Sequence, residues 1–299
     1  MTNYNQEPIE VIYTNNKNIS VFNTDGKNID KEVVKTFGEE WLKFNDFSEK
    51  DISVTGDEYF DIVNENIINK NCYILDIGCG TGRWSKYLSP KVKFVEAIYP
   101  SNAVFAANKL VQNIDNIRIT KASVDNIPFE DNTFDFAMSI GVLHHIPDTQ
   151  QAMKDAVRKV KIGGYFYCYL YYNLEDSGLI FKNLFALSTE IRNRVSKMSS
   201  TYKKFVCDLI AIFFYMPFVI ISRVLNLFGM DKISKKIPLS YYSNKSFYTI
   251  RNDALDRFGT TLEQRFSKKQ VVEMMEKSGL KEIIVSNGSP FYHAIGKRY

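Results

Sequence analysis

Along the middle of this 299-residue chain, short apolar runs alternate with stretches in which apolar residues recur at helical spacing. The apolar runs predict strands over residues 72–77, 92–98, 116–120, 134–140 and 165–171. Helices are predicted between them over 83–88, over 101–112, and from Asp148 to the glycine pair at 163 and 164. Because strands that alternate with helices form parallel sheets with crossover connections, the pattern predicts an α/β fold with a parallel sheet.

The N-terminal region lies outside this alternation. Residues 1–30 are polar and predict a weakly structured arm, whereas residues 31–69 predict a helical region rich in aromatic side chains. Four of these aromatic residues recur at intervals of four, three and three, namely Phe37, Trp41, Phe44 and Phe47. Such a stripe is typical of core packing. Residues 37–41, FGEEW, also resemble the FGxxW segment of many bacterial sugar and cell-surface methyltransferases, which implies a helical lid over the cofactor.

Residues 172–266 form a second departure, before a helix capped by Ser267 and Gln270 and strands over 281–286 and 291–296 resume the pattern. Its centre, residues 209–222, has fourteen positions without a charge. A bilayer span needs roughly 20 apolar residues and Pro217 interrupts this one, so we predict two helices rather than a transmembrane helix.

Basic residues flank this apolar run, at Lys203, Lys204, Arg223, Lys232, Lys235 and Lys236. These flanks allow two interpretations of the segment. It is either a helical cap buried on the core, or a peripheral membrane contact through 205–236 that rests on anionic lipid.

Composition limits the function classes. The net charge of +4, from 38 basic and 34 acidic residues, is too balanced for a nucleic-acid-binding surface. Four cysteines without a CxxC pair or a histidine at ligand spacing indicate neither a metal site nor a disulfide framework. Residues 1–30 lack a basic stretch followed by an apolar run, so we expect a cytoplasmic protein, with the inner face of the membrane as the alternative location.

The residues from Ile74 to Gly82 read ILDIGCGTG, an apolar strand that runs into three glycines at alternate positions. Glycine tolerates positive φ and lets a ligand approach the backbone closely. The dinucleotide-binding pattern GxGxxG fails here at Arg83. The whole string resembles motif I of the class I S-adenosylmethionine (SAM)-dependent methyltransferases, which implies that SAM is the cofactor.

A second match supports the same family. Residues 122–129, 133–136 and 141–148 read ASVDNIPF, TFDF and GVLHHIPD, and resemble a run shared by many type 11 small-molecule methyltransferases. The resemblance implies an α/β fold with a doubly wound, seven-stranded, mostly parallel sheet whose last two strands form a hairpin. It further implies cofactor-binding roles for Asp76, Gly78, Cys79, Gly80, Thr81, Gly82, Ser123, Val124, Asp125 and Ile140.

The ribose contact departs from the family pattern. The family places an acid at the tip of the second strand, where this chain has Tyr99, with Glu96 three residues earlier. Side chains alternate along a strand, so positions 96 and 99 should face opposite ways. We favour Tyr99 as the ribose contact, with Glu96 as the alternative if the strand contains a bulge.

His144 and His145 follow the fourth strand at the sheet edge where α/β proteins bind ligands. A histidine with a pKa near 6.5 suits the removal of a proton from a hydroxyl acceptor, and His145 is the preferred general base. The alternative is packing against Pro147. Trp41 in the lid, with Tyr171 and Tyr172 at the tip of the fifth strand, is predicted to line the acceptor site.

We therefore expect an N-terminal arm and lid over 1–70, a SAM-binding core over 71–171, a helical insert after the fifth strand over 172–266, and a C-terminal part of the sheet over 267–299. Residues 251–255 and 265–267 look similar to bacterial methyltransferases of surface-polysaccharide assembly, which implies a sugar hydroxyl on a nucleotide- or lipid-linked glycan as the acceptor. The alternatives are a ubiquinone/menaquinone-type C-methyltransferase, and a SAM-binding protein without transferase activity.

Overall fold

The computed structural model describes residues 2–15, 17–43, 47–173, 178–288 and 292–299. Their contacts divide the chain into two compact units, Met1–Glu175 with Leu262–Tyr299, and Asp176–Thr261. The second unit lies within the predicted insert. The chain therefore leaves the first unit once and returns to it.

Within the described residues, nine strands form one sheet in the first unit. They are β1 (Glu10–Ile12), β2 (Ile19–Val21), β3 (Tyr73–Ile77), β4 (Phe94–Tyr99), β5 (Ile117–Lys121), β6 (Phe134–Ile140), β7 (Val160–Tyr169), β8 (Leu280–Val285) and β9 (His293–Arg298). Their order is β1-β2-β5-β4-β3-β6-β7-β9-β8. All pairs from β2 to β7 are parallel, whereas β1–β2, β7–β9 and β9–β8 are antiparallel. This sheet confirms the predicted α/β class and the final hairpin.

Helices connect the strands and build the second unit. They are α1 (Lys31–Lys43), α2 (Glu49–Tyr59), α3 (Arg83–Leu88), α4 (Val104–Leu110), α5 (Thr149–Arg158), α6 (Leu179–Val195), α7 (Ser200–Ile210), α8 (Met216–Leu227), α9 (Asp231–Ser234), α10 (Phe247–Gly259) and α11 (Lys268–Lys277). Helices α6 to α10 belong to the second unit. Side-chain caps fix two predicted helix starts, because Asp148 accepts from the Gln151 amide and Ser267 forms a capping box with Gln270.

Apolar side chains pack on both faces of the sheet. The neighbours Ile74 and Leu75 on β3 are fully buried and lie in different apolar clusters. The same division separates Ala97 from Ile98 on β4. Because successive strand residues point to opposite faces, an unbroken apolar run is what a sheet covered on both sides requires.

The N-terminal arm contains two strands where the sequence predicted weak structure. Ser20 and Val21 of β2 pair with Thr120 and Lys121 of β5, and Ile19 is completely buried. Because the arm is polar overall, its composition did not predict β2, a strand of three residues that pairs with the edge of β5. This edge pairing extends the predicted seven-stranded sheet to nine strands, so the prediction for residues 1–30 is wrong.

The glycine pair at 163 and 164 lies inside β7 and does not end a helix, since α5 already ends at Arg158. Gly163 has a φ of +82°, and the register of β6 with β7 shifts between Phe134 and Phe136. A Cβ on Gly164 would lie 2.6 Å from the carbonyl oxygen of Asp135. These glycines therefore allow an irregular strand to pair closely with its neighbour.

The second unit contains one continuous helix where the sequence predicted two. Helix α7, a π-helical segment at Ala211–Tyr215 and α8 follow one another without a break over Thr201–Leu227. Pro217 lies in the first turn of α8, immediately after the π segment. The wider turn of the π segment accommodates the missing amide donor and the bulk of the proline ring.

A buried ion pair joins β4 and β5. Arg118 Nε and Nη2 donate to the two carboxylate oxygens of Glu96 at 2.7 and 2.8 Å, and the Tyr73 hydroxyl also donates to Glu96. Burial raises the pKa of Glu96 although Arg118 opposes the shift. The ring of Tyr4 covers the guanidinium at 4.2 Å, so the N-terminal arm helps to exclude water from the pair.

We expect Glu96→Ala to lower the free energy of unfolding by about 3–5 kcal/mol, because it leaves the Arg118 guanidinium largely buried without its carboxylate. Urea denaturation followed by circular dichroism measures this loss. Asp25→Ala, which removes an exposed ion pair with Lys31, is the control and should leave the unfolding midpoint unchanged. Equal effects of the two substitutions would contradict a stabilising role for the buried pair.

Candidate active site

The predicted glycine turn follows β3 at the carboxyl end of the parallel strands. Gly78, Gly80 and Gly82 have φ values of +79°, +54° and +80°, so all three adopt the left-handed conformation that favours glycine. The amides of Gly78 and Cys79 both donate to the carbonyl oxygen of Ile98, at 2.9 and 3.0 Å. These bonds tie the turn to the end of β4.

The three glycines differ in what surrounds them. A Cβ on Gly78 would lie 2.5 Å from Val142, and one on Gly82 would lie 3.3 Å from Ala107. At Gly80 the nearest atom, Trp41 Nε1, is 3.5 Å from the Cβ position, which is an ordinary contact. Gly80 is therefore required by its backbone conformation, whereas Gly78 is required by packing as well.

Asp76 lies at the end of β3 and is buried. It accepts a hydrogen bond of 2.6 Å from Ser85 Oγ on α3. Burial raises the pKa of Asp76 to about 7, against the opposing effects of the hydrogen bond from Ser85 and the charge of Arg83. Cys79 and Thr81 are buried in the same turn, and burial raises the pKa of the Cys79 thiol well above its usual value. Asp76 thus changes charge near neutral pH, while Cys79 stays protonated.

The pairing of β3 with β4 bears on whether Tyr99 or Glu96 is the candidate ribose contact. The pairing of β3 with β4 is continuous from Tyr73–Phe94 to Ile77–Ile98, so the strand has no bulge that would turn Glu96 toward the glycine turn. Glu96 is instead held in its ion pair with Arg118. Tyr99 ends β4 next to Ile98, whose carbonyl oxygen holds the turn. Tyr99 therefore remains the candidate ribose contact.

The predicted adenine-binding residues follow β5, and the N-terminal arm lies against them. Ser123 Oγ donates to Asp125 Oδ1 at 2.5 Å, and the Asn28 amide donates to Asp125 Oδ2 at 3.3 Å. Gly26 lies so close that a Cβ there would be 1.7 Å from Asp125. The sequence did not reveal this role of the arm, since residues 26–28 contact Asp125 only through the fold. Val124 lies three residues after β5, Ile140 is the last residue of β6, and both side chains are buried.

Aromatic rings of the predicted lid meet α3. The guanidinium carbon of Arg83 lies 5.9 Å from the Trp41 ring, 5.2 Å from Phe47 and 4.5 Å from Trp84. Arg83, which breaks the dinucleotide pattern, is thus a cation enclosed by rings. Trp41 belongs to this cluster, and its Nε1 lies 3.5 Å from the position of a Cβ on Gly80. The lid role stays a prediction, and Phe44 lies outside the described residues.

His145 is fixed by a backbone carbonyl. Its Nδ1 lies 2.7 Å from the carbonyl oxygen of Leu262. A carbonyl oxygen can only accept, so Nδ1 carries the proton and the lone pair of the neutral ring is on Nε2. The ring of Phe37 packs on His145 at 4.9 Å. His145 is therefore held in one tautomer and in one orientation.

His144 has a different environment. It is completely buried, and its ring stacks on Tyr171 with centroids 3.9 Å apart. Burial, with smaller effects from His145 and Arg265, lowers the pKa of His144 well below 6.5. Tyr171 also meets His145 edge-on at 5.7 Å. His144 is thus a neutral packing partner, and Tyr171 packs on both histidines; its acceptor-lining role stays a prediction.

The segment 262–266 supports the histidine loop and was not predicted to do so. The Gln264 amide donates to the carbonyl oxygen of His144 at 2.9 Å, and its side chain donates to the carbonyl of Ile146 at 2.7 Å. Arg265 lies over the Tyr171 ring at 5.2 Å. These contacts span more than ninety positions of sequence, and no local pattern signals them. Tyr172 packs instead on Tyr292, so the structure does not bring it to the ring of His145.

The chain matches the methyltransferase-domain family over residues 75–168. A relative in Staphylococcus aureus (strain JH9), a demethylmenaquinone methyltransferase, is 30% identical over 128 residues, which cover 40% of this chain and 51% of the relative. The chain thus spans about half the length of the curated relatives it matches.

Solved structures of similar fold include a SAM-dependent methyltransferase from Thermotoga maritima, with 16% identity and a TM-score of 0.46 over 87% of this chain and 94% of that one. Another is phosphoethanolamine N-methyltransferase 1 from Haemonchus contortus, in complex with phosphoethanolamine and S-adenosylhomocysteine. It has 16% identity and a TM-score of 0.40, and covers 50% of this chain and 35% of that one. Residues 75–168, which contain the glycine turn, thus match a methyltransferase domain.

Proposed function

We propose that this chain is a SAM-dependent methyltransferase that acts on a hydroxyl group of a small-molecule acceptor, with His145 as the general base. The observation that carries this proposal is the 2.7 Å hydrogen bond from His145 Nδ1 to the carbonyl oxygen of Leu262. It places the lone pair of the neutral ring on Nε2, the tautomer in which His145 can act as a base.

The residues of the turn fit the cofactor. Three left-handed glycines at alternate positions leave backbone rather than side chains at the surface of the turn, and Tyr99, Ser123 and Ile140 lie on the neighbouring strand ends. When bound, SAM supplies an electrophilic methyl group. Gly78, Gly80 and Gly82 would hold the methionine and ribose parts, and Tyr99 would donate to a ribose hydroxyl.

Proton removal is the task left to the acceptor side. A hydroxyl becomes a stronger nucleophile as it loses its proton, so His145 Nε2 would accept that proton while the Leu262 carbonyl stabilises the resulting imidazolium through Nδ1. His144 is unsuited to this task because its lowered pKa makes it a weak base. The remaining catalysis would come from holding the acceptor in attack geometry.

We place the acceptor among sugar hydroxyls, on a nucleotide- or lipid-linked glycan, because such a hydroxyl needs the base that this site offers. A second candidate is a quinone ring carbon, which is favoured by the 30% identity to demethylmenaquinone methyltransferases. The two candidates differ in their demand for a base, since a phenolic quinol ionises far more readily than a sugar hydroxyl. A SAM-binding protein without transferase activity would bind the cofactor and methylate neither acceptor.

Cofactor binding is tested at Gly80. We expect Gly80→Ala to weaken the binding of S-adenosylhomocysteine at least tenfold in calorimetry, because a side chain at this left-handed position alters the surface of the turn. Gly163→Ala is the matched control, since Gly163 has a φ of +82° with nothing within 4 Å of its Cβ position. It introduces similar backbone strain and should bind normally. Wild-type protein that binds neither SAM nor S-adenosylhomocysteine at millimolar concentration would overturn the proposed function.

The buried Asp76 should make the ligand-free protein sensitive to pH. Its pKa of about 7 lies above the value of 3.8 for an exposed carboxyl, so the folded state is most stable when Asp76 is protonated and loses stability as the pH rises from about 4 to 7. Asp76→Asn removes this loss and keeps an acceptor for Ser85. We therefore expect the Asp76→Asn variant to unfold several degrees above wild type at pH 8 and near wild type at pH 4, by differential scanning fluorimetry. A difference independent of pH would contradict the raised pKa.

The general base is tested with His145→Asn, because asparagine can still donate to the Leu262 carbonyl but has no basic nitrogen. We expect kcat to fall roughly 10²- to 10⁴-fold with unchanged binding of S-adenosylhomocysteine. Transfer of radiolabelled methyl from SAM to a panel of nucleotide sugars and to a short-chain demethylmenaquinone measures the rate. A variant within threefold of wild type on the sugar acceptor would refute the role of His145, and turnover of the quinone alone would select the second candidate.

A further inference from the structure

The long helix of the second unit has its apolar side chains on the outside. Its exposed positions are Phe205, Leu209, Ile212, Phe213, Phe214, Phe218, Ile220, Ile221, Val224 and Leu227. Phe213 is 67% exposed and Leu227 is 84% exposed. A soluble protein rarely exposes an apolar surface of this extent without a partner.

The buried stripe of the same helix is small or polar. It contains Lys203, Cys207, Ala211, Tyr215 and Ser222, together with Ile210 and Val219. This arrangement inverts the usual amphipathic helix, which buries its large apolar residues. Small and polar residues between helices, with large apolar residues facing outward, are the pattern of helices that pack in lipid.

Several polar side chains of the long helix form hydrogen bonds with other segments of the second unit. Arg251 on α10 donates two hydrogen bonds of 2.7 Å to Asp208, and the Tyr215 hydroxyl donates to Asp253 at 3.0 Å. Arg223 donates to the backbone carbonyls of Ser243 and Lys245 at 2.8 Å. Asp208, Tyr215 and Arg223 thus direct their polar groups to partners within the unit, and the outer face of the helix is left almost purely apolar.

Charge specifies the partner further. Residues 201–236 contain six basic and two acidic side chains, so this segment carries a formal charge of +4, equal to that of the whole chain. Asp208 is already paired with Arg251, while Lys232, Lys235 and Lys236 are exposed at the C-terminal end. An apolar face bordered by exposed lysines matches the boundary between acyl chains and anionic headgroups.

Chain topology excludes a transmembrane arrangement. Among the described residues, Thr201–Leu227 is the one helix that is long and apolar enough to cross a bilayer, judged by length and composition. A single crossing would leave residues 262–299 on the far side, yet β9 pairs with β7 in the sheet that precedes the insert. Helix α10, with 13 residues and several charges, cannot provide a second crossing, and neither can α6, whose 17 residues include Glu190, Arg192 and Arg194. Both ends of the long helix must therefore lie on the same side.

We propose that the second unit is a monotopic membrane anchor, in which the exposed face of Thr201–Leu227 lies in the plane of an anionic bilayer and Lys232, Lys235 and Lys236 contact its headgroups. This proposal is independent of the acceptor and of methyl transfer. A second copy of this chain is the competing occupant, and the basic border argues against it because two such faces would repel each other.

Sedimentation of the full chain with liposomes tests this apolar surface. One set of liposomes consists of phosphatidylcholine alone, and the other also contains roughly 30 to 40% phosphatidylserine. We expect the wild-type protein to bind the anionic vesicles. The double variant Phe213→Asp with Phe214→Asp should bind these vesicles at least tenfold more weakly. The double variant Lys235→Glu with Lys236→Glu should also bind more weakly than wild type, and its binding should be sensitive to salt. Matched controls are Ile9→Asp with Tyr13→Asp, and Lys50→Glu with Lys70→Glu, which change exposed residues of the first unit and should bind as wild type. All variants should bind S-adenosylhomocysteine normally, so a failure here is distinguishable from a failure of the proposed function.

Nitroxide labels on Phe214→Cys and Leu227→Cys test the orientation, because the four native cysteines are buried. A helix in the plane places both labels at a similar depth of roughly 5–10 Å, whereas a spanning helix places residue 214 about 15 Å deep, at the bilayer centre. Similar shallow depths support the proposal. It is overturned by protein that stays in the supernatant with both kinds of vesicle, by a label at the bilayer centre, or by a dimer in lipid-free solution that Phe213→Asp with Phe214→Asp converts to monomer.

Discussion

The carbonyl oxygen of Ile98 accepts hydrogen bonds from two successive amides of the glycine turn, and the geometry of the site depends on this contact. It joins the last residues of β3 and β4, so the turn cannot move independently of the sheet. Asp76 on one side and Tyr99 on the other keep their positions because the strands that carry them are held at this point. A turn fixed in this way presents backbone to a ligand without an ordering cost at the moment of binding.

Much of this site could be predicted from sequence because its signals are local. The three glycines, the strand ahead of them and the two histidines lie within short segments whose residue types dictate backbone conformation or position at the sheet edge. The boundaries of β3, β6 and α3 follow from the same patterns. Glu96 and Tyr99 were also separable in principle, because strand alternation alone places them on opposite faces.

What the sequence did not reveal depends on contacts between distant segments. The Leu262 carbonyl that orients His145, and Gly26 against Asp125, lie more than ninety positions from their partners. The strand β2 escaped prediction because three residues give too short a pattern, and the edge of β5 supplies the rest of its stabilisation. The predicted helix break at Pro217 is wrong because a π segment can absorb a proline that would otherwise interrupt a helix.

The position of β9 in the sheet has a consequence for synthesis of the chain. This strand, His293–Arg298, lies between β7 and β8 and follows the whole apolar insert in sequence. On the ribosome the long helix of the second unit therefore emerges before the sheet of the first unit can be completed. During that interval the exposed phenylalanines and leucines have no finished protein beside them, and a chaperone or a nearby bilayer is the first surface available to them. The order of elements thus exposes the most apolar segment of the chain before the sheet of the first unit is complete.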